Sequence, residues 1–393
     1  MAMTYDVLGF TAGAAAAGVR DGKPSRLDVA LIVSDRPCAA AGVFTTNQVI
    51  AAPCVVTRSH LNRGKLRAIV VNSGNANACT AEQGERDAVA MAQAAADAVG
   101  CSPYEVAVAS TGVIGVPLPI DRIATAVRSV KLGPTGFQDV ARAIMTTDTR
   151  PKLLHVDLPL STGVVRLRGV AKGAGMIHPN MATLLAFVMS DADVAVEDLR
   201  TIARNAADAS FNQISVDGDT STNDTFLVLA NGASGVKVRG GDLKLFANAV
   251  SFMAEGLARE ILADGEGVTK VFEVHVRGAA SAEDARLAAR TITTSNLVKT
   301  AVHGADPNWG RILAAAGRSG AKVDQTRATV RIADIVVFGA GAPGAFDAAA
   351  VRRIFEQKDF RIEVDLGVGS HTARALGTDL SAEYVRINAE YTT

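Results

Sequence analysis

The sequence predicts a mixed fold of the α+β class, in which sheets pack against helices. Short apolar runs with strand composition recur along the whole chain, and alanine-rich segments with helical periodicity separate them. The 393 residues are enough for one large or two medium domains with a substantial core.

Seven runs have the composition of β-strands. They are dominated by Val, Ile, Leu, Phe and Ala and are short enough to be single strands of a sheet. The runs cover residues 26–34, 65–73, 105–111, 164–171, 225–231, 270–278 and 361–367.

Two further segments have helical spacing. Residues 80–100 begin with Thr80 and Gln83 at the spacing of a capping box and end at Gly100. Residues 242–265 end at Gly265, which we expect to stop a second helix. Its apolar face consists of Leu243, Phe246, Val250, Met253, Leu257 and Ile261. We find no repeat or linker, and the nearest approach to an internal boundary is the glycine-rich segment 172–180.

Composition excludes several classes of protein. Lys plus Arg and Asp plus Glu both number 40, and this balance argues against a nucleic-acid partner, which needs clustered cations. No charge-free apolar run reaches the roughly 18 residues of a membrane helix, and Asp6 without a basic region makes a signal peptide an unfavourable interpretation. Four scattered cysteines indicate a reducing compartment and small buried side chains: Cys38, Cys54, Cys79 and Cys101. We therefore expect a cytoplasmic protein.

A glycine motif near the C-terminus formally matches the dinucleotide fingerprint. Gly339, Gly341 and Gly344 follow an apolar run, and Asp365 lies about 20 residues further on. Pro343 stiffens the turn, however, and the remaining segment of about 50 residues is too short for paired βαβ halves. An ordinary glycine turn is favoured over an oxidoreductase that binds a dinucleotide.

Metal binding is not predicted either. The alternating polar residues of segment 215–224 resemble a calcium loop, but Thr222 and Val228 replace the glycine and glutamate that such a loop requires. The alternating residues are Asp217, Asp219, Ser221 and Asn223, and we expect them to cap a turn. No histidine has a metal-binding spacing, and no G-x-S-x-G elbow occurs. Residues 303–312, with the single tryptophan, have the composition of a packed loop.

Four residues have a chemical interpretation beside a structural one. Thr111 and Gly112 follow a strand and could supply the two donors that an oxyanion needs, or form a plain turn. Glu266 follows a helix C-terminus, where a carboxylate is unfavourable unless a cation is near, so it could hold an ammonium group or be a solvated glutamate. Lys172 could anchor a carboxylate or lie on the surface.

The segment HPNMATLLAF, residues 178–187, places a β-branched alcohol, Thr183, behind a small residue, Ala182. Together with its surroundings this segment resembles the ornithine acetyltransferase family, the bifunctional acetyltransferases of arginine biosynthesis. The resemblance runs almost end to end and includes segments 40–53, 71–80, 109–115, 145–152, 172–187, 215–225, 297–312 and 384–393.

The resemblance implies a fold and a chain division. The fold is a layered α-β-β-α sandwich similar to that of the N-terminal nucleophile hydrolases and the β-peptidyl aminopeptidases. The precursor is expected to cut its own Ala182–Thr183 bond, giving an α chain of residues 1–182 and a β chain of residues 183–393. The freed Thr183 amine, with a reference pKa of about 8, could then deprotonate its own hydroxyl.

The resemblance also implies a reaction. Thr183 takes the acetyl group from N²-acetylornithine and passes it to glutamate in a ping-pong sequence, while Thr111 and Gly112 form the oxyanion hole. The substrate contacts are expected to be Thr149, Lys172, Thr183, Glu266, Asn388 and Thr393, with Thr147 as an alternative to Thr149. Neither a metal nor a bound cofactor is expected, acetyl-CoA is a candidate second donor, and the assembly is expected to be an α2β2 heterotetramer. The alternative function is an amidohydrolase or aminopeptidase on the same scaffold.

Overall fold

The computed structural model describes residues 7–178 and 184–390, which form two compact units. Of the described residues, the first unit contains 7–212 and 219–261, and the second contains 213–218 and 262–390. The expected division into two chains at Ala182–Thr183 lies outside the described residues, so the two units do not test it.

The described strands, in chain order, are β1 (Phe10–Ala15), β2 (Val29–Phe44), β3 (Leu66–Asn75), β4 (Val106–Val113), β5 (Lys152–Leu160), β6 (Gly163–Lys172), β7 (Leu185–Ser190), β8 (Ile214–Ser215), β9 (Thr225–Ala230), β10 (Val271–Ala279), β11 (Thr329–Ile332), β12 (Ile335–Gly339), β13 (Ala342–Pro343), β14 (Asp359–Asp365) and β15 (His371–Thr378). The described α-helices are α1 (Ala52–Arg63), α2 (Ala81–Val99), α3 (Ile120–Ser129), α4 (Phe137–Ala143), α5 (Val196–Ala209), α6 (Gly241–Ala263), α7 (Ala282–Thr293), α8 (Asn296–His303), α9 (Trp309–Gly317), α10 (Ala348–Phe355) and α11 (Ala382–Glu390).

The first unit is built on an eight-stranded mixed sheet with helices on both faces. Its strand order is β4-β3-β2-β9-β7-β6-β5, and β1 pairs with β2. Alternate residues of β2 enter opposite cores, since side chains along a strand point to alternate faces. Leu31 packs in the cluster that contains Met91 of α2, whereas Ile32 packs in the cluster that contains Phe137 of α4. The central strands are therefore buried on both sides.

The second unit has a seven-stranded sheet in the order β13-β12-β11-β14-β10-β15-β8. Phe272, Val274 and Val276 of β10 are buried in a core that includes alanines of α7. The alternate residues Glu273 and Arg277 lie on the opposite, more exposed face of β10. This sheet therefore shows the apolar-in, polar-out alternation of a sheet covered on one side.

The predicted α+β class is confirmed, and so are all seven predicted strands, which correspond to β2, β3, β4, β6, β9, β10 and β14. The two predicted helices correspond to α2 and α6. Gly100 ends α2 in the left-handed conformation, with φ of 74° and its N–H bonded to the Ala96 carbonyl. Five of the six residues on the predicted apolar face of α6 are buried.

Several local predictions are wrong. Thr80 and Gln83 do not form a capping box, because the Thr80 hydroxyl donates to Asn77 Oδ1 and Gln83 Nε2 donates to Asp87. Helix α6 ends at Ala263, two residues before Gly265. Residues 303–312 are not simply a loop, because Asn308 caps the start of helix α9.

The four cysteines are free, as expected, and Cys38 and Cys54 are buried. Cys79 is exposed, however, and Cys101 is half-buried, so the prediction of four small buried side chains holds for only two of them. Within the described residues, no helix is long and apolar enough to span a membrane.

Candidate active site

The predicted oxyanion donors, Thr111 and Gly112, lie at the end of β4, beside the end of β3. Gly112 has a φ of 134°, a conformation that side chains disfavour. A Cβ at this position would lie 2.3 Å from the Gly74 carbonyl carbon and 2.4 Å from Asn75 N. Only glycine fits here, and its backbone can approach a ligand closely.

Lys172 lies at the end of β6 and reaches this turn. Its Nζ donates to Thr111 Oγ1 at 3.2 Å, although β4 and β6 lie five positions apart in the sheet order. Since an ammonium group has only donors, the Thr111 oxygen must accept this bond. The hydroxyl proton of Thr111 is therefore directed at another acceptor, as an oxyanion donor requires. Lys172 is 4% exposed, which rules out the interpretation as a surface lysine.

A buried carboxylate, Asp148, holds this region together. Its Oδ1 accepts bonds from Lys152 Nζ and from the Gly173 N–H, both at 2.7 Å, and its Oδ2 accepts the Thr146 N–H at 3.0 Å. Burial raises the pKa of Asp148, but Lys172, Lys152 and these hydrogen bonds outweigh that effect, so the pKa lies below its ordinary value. The carboxylate is therefore ionised at neutral pH.

Two lysines are buried close to Asp148. Lys152 is 1% exposed and pairs with Asp148, and Lys172, which is 4% exposed, stabilises the charge of the same carboxylate. Burial raises the pKa of a further buried acid, Asp224, well above its ordinary value and so disfavours its charged form. Buried ammonium groups favour an anionic group, whether a substrate carboxylate or a developing oxyanion.

The chain on the C-terminal side of Thr183 is fixed by Asp224. The Leu184 N–H donates to Asp224 Oδ1 at 2.7 Å, and the Leu184 carbonyl accepts the Thr225 N–H at 3.0 Å. Strand β7 begins at the next residue and pairs with β6 and β9. The start of β7 is therefore firmly attached to the sheet.

Glu266 belongs to the second unit and is buried, which contradicts the interpretation as a solvated glutamate. Its Oε2 accepts a bond from Asn388 Nδ2 of α11 at 2.8 Å. The neighbouring Gly267, with φ of 65°, allows close packing, because a Cβ there would lie 2.4 Å from Tyr384 N of the same helix. Within the described part of the chain, no lysine or arginine forms an ion pair with Glu266. This buried carboxylate can accept a cationic ligand.

The structure does not decide the roles of the remaining predicted site residues. Thr149 is exposed and Thr147 is half-buried, on either side of Asp148, and the choice between them as a substrate contact stays open. Ala182, Thr183 and Thr393 lie outside the described residues. The structure thus brings together Thr111, Gly112 and Lys172 in one unit, and Glu266 and Asn388 in the other.

The glycine motif at 339–344 forms a β-hairpin. Gly339 of β12 pairs with Ala342 of β13 in antiparallel register, and the two turn residues, Ala340 and Gly341, have positive φ of 49° and 74°. This is the geometry of a tight hairpin turn rather than of a strand-to-helix crossover. The favoured interpretation as a glycine turn is confirmed.

Segment 215–224 contributes turn-capping bonds, as predicted. Ser221 Oγ accepts the Asn223 N–H at 3.0 Å, and Thr222 Oγ1 donates to Asn223 Oδ1. In addition, Asn223 Nδ2 donates to the carbonyls of Ala76, at 2.5 Å, and Ser110, at 3.0 Å. These longer-range contacts were not predicted.

Comparison with known proteins decides the family. A model described as the ArgJ family matches residues 11–393. The chain belongs to the ArgJ family. The arginine biosynthesis bifunctional protein ArgJ of Symbiobacterium thermophilum is 51% identical over 390 residues, covering 98% of this chain and 97% of its own. The protein of the same name from Dehalococcoides mccartyi is 48% identical over 388 residues, covering 98% and 96%.

A solved ArgJ structure from Bacillus halodurans is also similar. It shares 39% identity, has a TM-score of 0.49, and covers 51% of this chain and 96% of its own. As a member of the ArgJ family, the chain is an acetyltransferase of arginine biosynthesis, which confirms the predicted family and enzyme class.

Several residues of the candidate site were missed in the sequence. Asp148 and Lys152 lie in segment 145–152, but a four-residue spacing outside a helix gives no signal of contact. Asn223 was interpreted only as a turn residue, and Asp224 was not singled out. The sequence signal for the Asp148–Lys152 pair is weak. It consists of an aspartate and a lysine on either side of a short polar segment that lies between apolar runs.

Proposed function

We propose that this chain cuts itself at Ala182–Thr183 and then transfers an acetyl group from N²-acetylornithine to glutamate through an ester on Thr183. The products are ornithine and N-acetylglutamate. The observation that supports this most is the Thr111–Gly112 turn with Lys172 bonded to Thr111, because it supplies two donors for an oxyanion in a positively charged setting.

Self-cleavage would begin with attack of the Thr183 hydroxyl on the Ala182 carbonyl. The acyl group moves from nitrogen to oxygen, and water then hydrolyses the ester, leaving residues 1–182 with a new carboxylate and Thr183 with a free amine. The small side chain of Ala182 leaves room for the strained intermediate. An amine with a pKa of about 8 is partly neutral at pH 7 and can act as the base.

Acetyl transfer would use the same hydroxyl. The amine removes its proton as the oxygen attacks the acetyl carbonyl, and the Thr111 hydroxyl and the Gly112 N–H stabilise the oxyanion. The C–N bond breaks, ornithine leaves with the proton on its amine, and the acetyl ester remains. The amine of glutamate then attacks the ester and restores the free hydroxyl.

The charge of each site residue determines which group of the substrate we assign to it. Glu266 is a buried carboxylate that forms no ion pair with a lysine or arginine among residues 7–178 and 184–390, and it is suited to an ammonium group such as the one that ornithine carries. Lys172 is suited to a carboxylate or to the oxyanion. Thr149, Asn388 and Thr393 are proposed as further substrate contacts, and acetyl-CoA as a second acetyl donor, since the relatives' names describe bifunctional proteins.

The assembly that we propose is a heterotetramer of two α and two β chains, located in the cytoplasm. Sedimentation of the cut protein measures the assembly. A mass corresponding to one α and one β chain alone would contradict the tetramer.

The decisive experiment is denaturing electrophoresis with N-terminal sequencing, combined with an acetyl-exchange assay. We expect two chains, one of which begins at Thr183, and formation of N-acetylglutamate from N²-acetylornithine. Thr183→Ala should abolish both cutting and transfer, whereas Thr183→Ser should retain part of each. An intact chain without acetyl exchange would contradict the proposal, and dominant acetate release would favour the amidohydrolase.

A further inference from the structure

Two consecutive buried side chains, Asn223 and Asp224, have no role in the chemistry described so far. Asn223 is 6% exposed and Asp224 is 1% exposed. Burying such polar groups is costly unless hydrogen bonds compensate, so the partners of the two side chains indicate what they do.

Asp224 acts on the chain that follows Thr183. Its Oδ1 accepts the Leu184 N–H at 2.7 Å, and the adjacent Thr225 N–H donates to the Leu184 carbonyl at 3.0 Å. Leu184 is the covalent neighbour of Thr183, and the peptide group that joins them is planar. An anchor on the Leu184 N–H therefore acts on Thr183 through a single rigid peptide group.

Asn223 acts on the chain that precedes the oxyanion donors. Its Nδ2 donates to the Ser110 carbonyl at 3.0 Å, and this carbonyl belongs to the peptide group that leads to Thr111. A second bond from the same nitrogen reaches the Ala76 carbonyl at 2.5 Å, just beyond the end of β3. Asn223 therefore attaches the Thr111–Gly112 turn to segment 220–225.

We propose that Asn223 and Asp224 are positioning residues that set the distance between Thr183 and the Thr111–Gly112 donors, in self-cleavage and in acetyl transfer. The inference rests on the proposed function. The Cα atoms of consecutive residues are about 3.8 Å apart, so a very short piece of backbone links the two anchors. A displacement of about 1 Å at a reacting group can cost about 100-fold in rate.

The burial and hydrogen bonding of Asp224 determine which conservative substitution can test its role. Its Oδ2 has no hydrogen-bond partner among the described residues, and burial raises the pKa of the carboxyl well above its ordinary value. Burial therefore disfavours the charged form of this side chain. An asparagine has nearly the same shape, carries no charge, and keeps an oxygen that can accept the Leu184 N–H.

Asp191 provides a matched control at the opposite end of β7. It is fully buried, and its Oδ1 accepts the Arg166 N–H at 2.7 Å. Its Oδ2 also accepts the Leu8 N–H at 3.4 Å and pairs with Arg166 at 3.9 Å, so Asp191→Ala removes at least as many buried contacts as Asp224→Ala. A purely structural role therefore predicts that Asp191→Ala has an effect at least as large. The measurements are urea unfolding, the rate constant of cutting, and kcat and KM of the cut enzyme.

We expect Asp224→Ala to lose no more stability than Asp191→Ala but to react more slowly. Asp224→Ala should lower the cutting rate constant and kcat by about 10- to 100-fold relative to Asp191→Ala, while KM for N²-acetylornithine changes by less than about threefold. Asp224→Asn should restore both rates to within about threefold of the wild type. Asn223→Ala should lower kcat in the same way, and it decides the question if Asp224→Ala does not fold.

Equal cutting and turnover in Asp224→Ala and Asp191→Ala would overturn the inference. So would an Asp224→Asn variant as slow as Asp224→Ala, because the acceptor would then not be the property that matters. If Asp224→Ala does not fold, wild-type kcat in Asn223→Ala would overturn it. Failure of the wild type to cut or to exchange acetyl groups would instead contradict the proposed function itself.

Discussion

At the scale of single residues, Thr111 is the group whose hydrogen bond has the most specific chemical meaning. The bond from Lys172 occupies an acceptor site of the hydroxyl and so orients its proton. A side chain of the same shape without a hydroxyl would keep the packing and remove that proton.

Thr111→Val should therefore lower kcat for acetyl transfer by about 100- to 1,000-fold, the usual cost of one oxyanion donor. Thr111→Ser is the matched control, since it keeps the hydroxyl, and should retain most of the activity. Initial rates of N-acetylglutamate formation measure both. Valine and serine variants of equal kcat would show that the hydroxyl does not stabilise the oxyanion.

Asp148 is important for stability as well as for the site. Asp148→Asn removes the charge that pairs with the buried Lys152 and should destabilise the fold by about 3–5 kcal/mol. Asp157, on the exposed side of β5, makes a long ion pair with Arg166 at 3.8 Å. Asp157→Asn should change stability by less than about 0.5 kcal/mol. Urea unfolding at pH 7 compares the two, and equal losses would contradict a special role for Asp148.

The same carboxylate gives a pH dependence with a definite sign. Because the pKa of Asp148 is lower in the folded state, its contribution to stability is fully present above the unfolded-state pKa of about 3.9. The contribution is lost as the pH falls through the lower folded-state value. The difference in unfolding free energy between wild type and Asp148→Asn should therefore shrink below about pH 4, as urea titrations at several pH values would show.

At the scale of elements, the turn after β4 depends on a glycine that has no substitute. Gly112→Ala would place a Cβ against the backbone of Gly74 and Asn75, whereas a Cβ at Gly115, with φ of 80°, meets nothing within 4 Å. Gly112→Ala should destabilise the fold by several kcal/mol or abolish folding, but Gly115→Ala should cost only about 1–2 kcal/mol for its left-handed conformation. Thermal unfolding and acetyl transfer would reveal the difference, and a fully active Gly112→Ala variant would contradict it.

The strands and helices show what local patterns could predict. The apolar runs of β3, β4 and β10 were recognised because their burial is continuous or alternating over several residues. The second half of β2, with the sequence PCAAAGVF, was missed because small residues give little strand signal, and a register shift separates it from the first half. The capping box failed since a nearby side chain, Asn77, competes for the Thr80 hydroxyl.

At the scale of the whole molecule, family, enzyme class and fold class could be predicted, but the division into two units could not. Residues 213–218 leave the first unit to form β8, which pairs with β15 about 160 residues later in the chain. Contacts such as Lys172 with Thr111 have the same origin, because they depend on long-range pairing rather than on local sequence. Thr111, Gly112 and Glu266 were predicted from local patterns and from the family resemblance. The contacts of Asp148 and Asp224 could be recognised only in the folded structure.

The eight-stranded sheet contains segments from both sides of the proposed cut. Strands β7 and β9, after residue 183, lie between β2 and β6, which come before it. After cutting, the two chains should therefore stay together in native buffer and separate only in denaturant. Size-exclusion chromatography followed by denaturing electrophoresis tests this, and separation of the chains in native buffer would contradict it.

Because strands from both sides of the cut lie between one another in the sheet, the cut also affects whether the unfolded protein can refold. In the precursor, the central strands find their neighbours by closing loops within one chain, a step that does not depend on dilution. Once the covalent link is gone, the same pairing becomes an encounter between two molecules, and its yield should fall as the protein is diluted. Recovery from urea should thus depend on concentration for the wild type but not for Thr183→Ala, so that folding would precede cutting and would not readily be repeated after it.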